Sequence, residues 1–314
     1  MIASQPAPDE GLDCDRSSPT CGVPVETVLR LRFNRHLLPA TAVRQSVRVY
    51  AGSPENTLFL APSYDVIERV LSFALPSGQL LPGMVYTVEL VKPIRAGDFG
   101  FRAYDGAPIA AATQPLVWSF RTRSQGGVGS PADLALPADC QAALSSLTAS
   151  CGQANCHAVC PDDHCEHQPR MGLVLDSPQG IDETAIWQVA HQTLTGQDET
   201  TPLRNPRRFG AQMPIIEPGR PENSYLVYKL LVSPDNYRDA SGFSCESRYF
   251  GRLPDRQCLA PSEAERQRLR DWFVRLGPMP PDSAPFDAVS PISALRGLAD
   301  WIGDGATTSG CSGI

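Results

Sequence analysis

Length, composition and charge exclude several classes of protein. The chain has 314 residues, of which 42% are hydrophobic, so it can form two domains with packed cores. Its net charge is -7 and its basic residues form no stripe, which argues against nucleic acid as a partner. No apolar run approaches the roughly 18 residues of a membrane-spanning helix. The 30 prolines and 25 glycines favour turns and loops over long helices.

Residues 1–21 predict a flexible N-terminal segment. They are rich in Pro, Asp and Ser, and they contain neither the basic nor the apolar stretch of a signal peptide. We expect this segment to be the start of a mature exported protein whose leader is missing from the sequence.

Residues 22–123 predict an all-β domain. In 27–33, Leu29, Leu31 and Phe33 alternate with arginines, as in a half-buried strand. The other strand candidates are 46–50, 66–73, 85–91 and 116–122. Several short strands at this spacing favour an antiparallel β-sandwich. The lone His36 stands beside apolar residues, so we expect a structural role for it rather than a ligand role.

The order of residues in this domain also resembles the bacterial Ig-like (Big/SbsA-type) domains of surface-layer and secreted proteins. The resemblance is carried by Arg32-Phe33-Asn34, Leu38-Pro39-Ala40-Thr41, Leu81-Pro82-Gly83-Met84-Val85-Tyr86-Thr87-Val88 and Trp118-Ser119-Phe120-Arg121-Thr122. It covers about 100 residues and implies an Ig-like β-sandwich that acts as a spacer or adhesive module without chemistry of its own.

A Gly/Ser/Pro-rich linker at 124–134 separates this domain from a second one at 135–314. The helix candidates of the second domain are 138–147, 182–191, 221–231, 262–276 and 290–302. Ser262 and Glu265 form a capping box, Pro221 suits the first position of the third helix, and Ser290-Pro291 opens the last one. Residues 232–260 resemble an insertion, which Cys245 and Cys258 would staple.

The stretch with the clearest chemistry is Cys151-Gly-Gln-Ala-Asn-Cys156-His157. In c-type cytochromes, two cysteines form thioethers to haem and the histidine after the second one binds the iron. The usual attachment signal is C-x-x-C-H, and this chain has two more residues between the cysteines. Small helices around such a site favour a mainly α, cytochrome c-like domain.

Nearly the whole second domain is similar to a family of exported cytochrome c-like domains of environmental bacteria. The matching stretches after the cysteine motif are Met171-Gly-Leu-Val-Leu-Asp176, Pro218-Gly-Arg-Pro-Glu-Asn-Ser-Tyr-Leu226, Met279-Pro280 and Trp301-Ile-Gly-Asp-Gly-Ala306. The resemblance implies haem c on Cys151 and Cys156, with His157 as the proximal iron ligand and a methionine opposite.

Met279 is the first choice for this distal ligand, because a Trp-Ile helix follows it, and Met213 is the alternative. The helix pattern occurs twice, however. If 262–277 is the family helix, the ligand is Met213, a histidine such as His191, or absent. Met171 is expected in the core. Arg204, Arg207 and Arg208 either pair with haem propionates or form an ordinary solvated surface.

Two other interpretations of the cysteine cluster remain open. Zinc would use four ligands from the group that also contains Cys160, His164, Cys165 and His167, but structural zinc sites usually separate two close pairs by a longer loop. His164 and His167 are instead expected to face solvent. In the other interpretation all cysteines form disulfides and no cofactor binds.

Ten cysteines are typical of an oxidising compartment. If Cys151 and Cys156 carry haem, eight remain for four disulfides. Close spacing favours Cys14 with Cys21, Cys160 with Cys165, and Cys245 with Cys258, which leaves Cys140 and Cys311 as a long-range pair. We therefore expect export to the periplasm, to the outer membrane as a lipoprotein, or to the cell surface.

These observations favour an exported electron carrier with a single haem, carried on an Ig-like spacer, over an enzyme. The alternative is a haem-free, disulfide-stapled structural or interaction protein of the cell envelope. A peroxidase-like enzyme with an open distal position is a third hypothesis. The chain has no G-x-S-x-G motif and no P-loop. The sequence does not identify the redox partner.

Overall fold

The computed structural model of the chain describes residues 1–15, 18, 20–74, 80–95, 98–110, 115–124, 139–153, 156–159, 169, 172–190, 213–254, 258–274, 278–280, 285–309 and 311. The chain divides into two compact units, Met1–Leu134 and Ala135–Ile314. Within the described residues, no helix is long and apolar enough to cross a membrane.

The first unit contains two small antiparallel sheets. Its strands are β1 (Ala3–Gln5), β2 (Leu29–Arg32), β3 (Val47–Ala51), β4 (Ala61–Asp65), β5 (Val70–Ala74), β6 (Val85–Leu90) and β7 (Val117–Arg121). One sheet has the order β1-β2-β5-β4 and the other has the order β3-β6-β7. The alternation expected of a half-buried strand is clearest in β6, where Tyr86, Val88 and Leu90 are buried and Val85 is exposed.

Residues 66–69 do not belong to the strand predicted at 66–73. The Asp65 carboxylate accepts hydrogen bonds from the N–H groups of Ile67 (2.8 Å) and Glu68 (3.0 Å), and Arg69 has a positive φ of 58°. These features form a turn between β4 and β5, because an Asp side chain readily bonds the backbone two or three residues ahead. The predicted strand therefore covers this turn and most of β5, whereas β4 precedes it and was not predicted.

The second unit contains five helices within its described residues: α1 (Cys140–Cys151), α2 (Pro178–Thr184), α3 (Tyr225–Leu231), α4 (Glu263–Trp272) and α5 (Pro291–Gly303). Between α3 and α4 lie two small hairpins, formed by β8 (Arg238–Asp239) with β9 (Gly242–Phe243) and by β10 (Glu246–Ser247) with β11 (Gly251–Arg252). The hairpins occupy the segment that resembles an insertion.

Side-chain caps explain where three of these helices begin. Asp139 accepts from the Ala142 N–H at 3.1 Å before α1, and Ser177 accepts from the Gly180 N–H at 3.2 Å before α2. Ser262 accepts from the Glu265 N–H at 3.3 Å, which confirms the predicted start of α4. Each cap satisfies a backbone donor that has no partner inside its helix.

The helix predicted at 182–191 is wrong. Helix α2 ends at Thr184, and Trp187 has a positive φ of 60°, which no α-helix contains. The chain after α2 instead pairs with 213–216, where Ile216 donates its N–H to Ala185 (3.1 Å) and Ile215 donates to Gln188 (2.7 Å). Long-range pairing therefore overrides the local helical pattern. His191 lies outside the described residues.

The predicted fold class, an Ig-like β-sandwich followed by a mainly α cytochrome c-like domain, is also wrong. The sheets of the first unit have strands of three to six residues and do not form a clear Ig sandwich. In the second unit, the short helices alternate with hairpins and extended pairing, and they do not form a clear cytochrome domain. The turn at 66–69 replaces the first half of one predicted strand, and the pairing of the chain after α2 with 213–216 replaces most of one predicted helix.

Candidate cofactor-attachment site

Three disulfides are present among the described residues: Cys14–Cys21, Cys140–Cys311 and Cys245–Cys258. The prediction of disulfides is therefore confirmed, and disulfides of this kind are typical of oxidising compartments. Cys151 and Cys156 keep free thiols. Cys160 and Cys165 lie outside the described residues. Cys151 and Cys156 therefore take no part in the three disulfides.

A turn at the end of α1 brings the motif together. Cys151 is the last residue of α1, and its carbonyl accepts a hydrogen bond from the His157 N–H at 3.2 Å. Gly152 ends the helix where a Cβ would come within 2.7 Å of the Leu175 carbonyl oxygen and 2.8 Å of the Asp176 Cα. Glycine is required at this position because the backbone at 175–176 passes so close to it.

His157 is held rigidly from several sides. Its ring is buried, with 5% exposure, and Nδ1 lies 3.2 Å from the Leu173 carbonyl oxygen. The His157 carbonyl accepts from the Leu175 N–H at 2.7 Å, and the Val159 N–H donates to the Asp176 carboxylate at 2.6 Å. A carbonyl only accepts, so Nδ1 is the donor in this contact, and in the neutral form of the ring the lone pair is on Nε2. Metal-binding histidines typically make such a bond.

Burial controls the state of the Cys151 thiol. Cys151 is only 4% exposed, and this burial, with a smaller contribution from the nearby Cys156, raises the pKa of its thiol to about 12. At neutral pH Cys151 is therefore an uncharged, unreactive thiol in the folded chain, because the thiolate is the nucleophile. Cys156 is half-exposed.

We expect iodoacetamide to label Cys156 long before Cys151 in the folded, haem-free chain at pH 8. A pKa near 12 lowers the thiolate fraction of Cys151 about a thousandfold relative to an ordinary cysteine, and burial restricts access further. Peptide mass spectrometry after timed labelling measures both rates, and labelling in urea is the control in which the two rates converge. Equal rates in the folded chain would contradict the buried position of Cys151.

The two candidate distal methionines are anchored near opposite ends of α3. Met213 is buried, its carbonyl accepts from the Ala190 N–H at 3.1 Å, and the next residue, Pro214, accepts from the Tyr225 N–H at 2.9 Å. Met279 is half-buried and donates its N–H to the Lys229 carbonyl at 3.1 Å. Both methionines are thus fixed by backbone contacts.

Two polar residues of this region were not predicted from the sequence. Asn236 is fully buried and donates from Nδ2 to the Leu230 carbonyl at 2.9 Å. Lys229 is 3% exposed within α3, whose residues are all buried, and burial lowers the pKa of its ammonium group to about 8. A sequence signal existed only for Lys229, a charged residue inside the apolar run Tyr225–Leu231.

Six further residues of the sequence predictions lie outside the described residues: Met171, expected in the core; His164 and His167, expected to face solvent; and Arg204, Arg207 and Arg208, expected either to pair with haem propionates or to form a solvated surface. The described residues contain no group of three or more His, Cys, Asp or Glu side chains that could hold a metal ion. The additional ligands of the zinc hypothesis, which include Cys160 and Cys165, also lie outside the described residues.

No protein-family model, curated protein or solved structure matches this chain. Function is therefore inferred from the Cys151–His157 motif and from the contacts that surround it.

Proposed function

We propose that this chain is an exported electron carrier with a single haem c, in which Cys151 and Cys156 form the thioethers and His157 binds the iron. The observation that carries the proposal is the 3.2 Å contact of His157 Nδ1 with the Leu173 carbonyl, directly beside two cysteines that take no part in the disulfides. This contact gives a buried imidazole the tautomer that binds a metal through Nε2.

The donor set at this site fits a covalently attached haem. Attachment of haem c needs two free thiols, which form the thioethers, and an adjacent imidazole, which binds the iron. A structural zinc ion needs four protein ligands, and Cys151, Cys156 and His157 supply only three. Because Cys151 is buried in the folded chain, we infer that attachment precedes closure of the turn at the end of α1.

The chain's own residues would set the properties of the centre. Haem supplies reversible one-electron chemistry when it is bound. The Leu173 carbonyl orients the His157 ring and raises its basicity, and burial of the ring limits access of water. We propose Met279 as the distal ligand, with Met213 as the alternative. A thioether ligand raises the reduction potential.

The three disulfides support the cellular context of the proposal. Disulfides persist where thiols are oxidised, so we propose the periplasm, the outer membrane as a lipoprotein, or the cell surface as the location. The first unit would serve as a spacer between the envelope and the haem-bearing second unit. The partner would be another redox protein, since an electron carrier needs no bound substrate.

We expect covalent haem when the full chain is exported in cells that have the haem c maturation machinery. Intact mass under denaturing conditions should increase by about 616 Da, and a Soret band should survive denaturation, because C-x(n)-C-H attachment is covalent. The double variant Cys151→Ser, Cys156→Ser should lose both signals. The matched control Cys245→Ser, Cys258→Ser removes a structural disulfide pair and should keep them.

Absence of both signals in the wild type, in cells that mature another c-type cytochrome, would overturn the proposal. The chain would then be the alternative, a haem-free and disulfide-stapled envelope protein. Haem that stays bound in the Cys151→Ser, Cys156→Ser variant would instead mean that attachment uses other residues.

A further inference from the structure

Asn236 joins three separate segments of the second unit. Its side chain is completely buried, its Nδ2 donates to the carbonyls of Leu230 (2.9 Å) and Met279 (3.5 Å), and its Oδ1 accepts from the Phe286 N–H at 2.6 Å. Both ends of the amide are therefore in use. A buried amide is costly unless its hydrogen bonds are made, so a satisfied one specifies a single local arrangement.

The contacts of Asn236 continue to the cysteine motif. The hydroxyl of Ser150, the residue before Cys151, donates to the carbonyl of Phe286. A continuous path therefore runs from the end of α1 through Phe286 and Asn236 to Met279. Within the described residues, this path connects the attachment motif to the first-choice distal ligand, and no corresponding path through Asn236 reaches Met213.

The backbone of Met279 is held at both of its polar groups. Its N–H donates to the Lys229 carbonyl at 3.1 Å, and its carbonyl accepts from Asn236. Methionine has a long side chain with three rotatable bonds, so its sulfur reaches a fixed position only if its backbone is fixed. Preorganisation of a ligand by its supporting residues determines how well it competes with other ligands.

We propose that Asn236 is a positioning residue, which holds Met279 in place as the sixth ligand of the haem iron. The inference rests on the proposed function, because it assigns a role at the same site. Asn236 does not touch the iron. It acts on the backbone of Met279 and ties that backbone to the segment that precedes Cys151.

Two substitutions test this role in the full-length, haem-loaded protein. Asn236→Leu removes every hydrogen bond of the side chain, whereas Asn236→Asp keeps an acceptor for the Phe286 N–H and loses the amide donor. The matched control is Tyr228→Phe, which removes a different hydrogen bond of α3, from the Tyr228 hydroxyl to the Glu222 carbonyl at 2.8 Å. This control leaves the contacts of Asn236 with Met279 intact.

Imidazole is the probe, because it displaces a weakly held methionine from ferric haem. We expect both Asn236 variants to bind imidazole about two- to threefold more tightly than the wild type, because the 3.5 Å bond to the Met279 carbonyl is long and lies at the weak end of the range for one hydrogen bond. We also expect both variants to lose intensity in the weak far-red band of methionine-ligated ferric haem. Tyr228→Phe should keep the band and the wild-type affinity. Circular dichroism confirms that each variant is folded.

The outcomes separate this inference from the proposed function. A wild type without covalent haem would overturn the proposed function itself. Covalent haem with an unchanged imidazole affinity and far-red band in folded Asn236→Leu would overturn only the role of Asn236. If Met279→Ala also leaves the band unchanged, Met279 is not the ligand and the role of Asn236 is likewise excluded. Asn236→Asp decides the question if Asn236→Leu does not fold.

Discussion

Replacing Cys140 and Cys311 together by serine is expected to lower the free energy of unfolding of the second unit by about 5 kcal/mol. This disulfide joins residues 171 positions apart, so it removes more freedom from the unfolded chain than any short-range pair does. It also connects the first residue of α1 to the end of the chain just after α5, and the two helices pack against each other. Urea unfolding followed by the helical circular dichroism signal measures the effect.

The control for this prediction is the disulfide Cys245–Cys258 of the same unit, which spans only 13 positions. Its double serine variant is expected to cost about 3 kcal/mol on the same loop-closure argument. A loss for Cys140 and Cys311 that is no greater than the loss for the short pair would contradict the argument. It would mean that the disulfide restricts the unfolded chain less than loop closure predicts.

The second large effect is the contribution of Lys229 to the pH dependence of stability. Burial lowers the pKa of Lys229 to about 8 in the folded chain, whereas an unfolded lysine has a pKa of about 10.4. Between these two values the unfolded chain binds more protons, so stability rises as pH increases through this window. Below about pH 8 the lysine is charged in both states and the cost of burying the charge is fully present. The expected contribution of Lys229 from pH 7.5 to pH 10.5 is a gain of about 3 kcal/mol. The raised pKa of the Cys151 thiol acts in the opposite direction over the same range, so the gain is measured as the difference between the wild type and a variant without the ammonium group.

Lys229→Met tests this effect, since methionine keeps the long apolar chain and removes the charge. We expect the variant to be more stable than the wild type at pH 7 and the difference to shrink towards pH 10.5, as measured by urea unfolding across the series. The other lysine of the chain, Lys92, is exposed, and Lys92→Met is the matched control that should leave the pH dependence unchanged. An unchanged pH profile in Lys229→Met would show that the ammonium group is solvated.

Features that depend on neighbours in the sequence were predicted most accurately. The start of α4 follows from Ser262 and Glu265, because a cap acts over three residues. Strand β6 follows from its alternation, because one face of the strand is buried. The pairing of Cys14 with Cys21 follows from close spacing. All three depend on residues that are close together in the sequence, so the sequence pattern is enough to predict them.

Features that depend on distant partners were mostly not predicted, with the exception of the long-range disulfide Cys140–Cys311, which follows from the pairing of the other cysteines. Arg30 and Arg32 alternate with apolar residues and resemble the solvent face of a strand, yet every residue of β2 is buried and Arg30 bonds Gln5 of β1 at 3.0 Å. The 182–191 segment has a helical pattern, but its second half pairs with 213–216 instead. The fold class failed for the same reason, since turns and long-range pairing divide the elements that local patterns extend.

The sequence by itself determined the chemistry that is possible at the candidate site: two thiols, an adjacent imidazole, and two methionines that can bind a metal. It did so because ligand identity is a property of the side chain alone. Only the tertiary structure decided that His157 is buried with Nδ1 against the Leu173 carbonyl and that Cys151 is closed off from solvent. It also decided that Asn236 links Met279 to the segment before Cys151. Tautomer, burial and positioning depend on contacts between residues that are far apart in the chain.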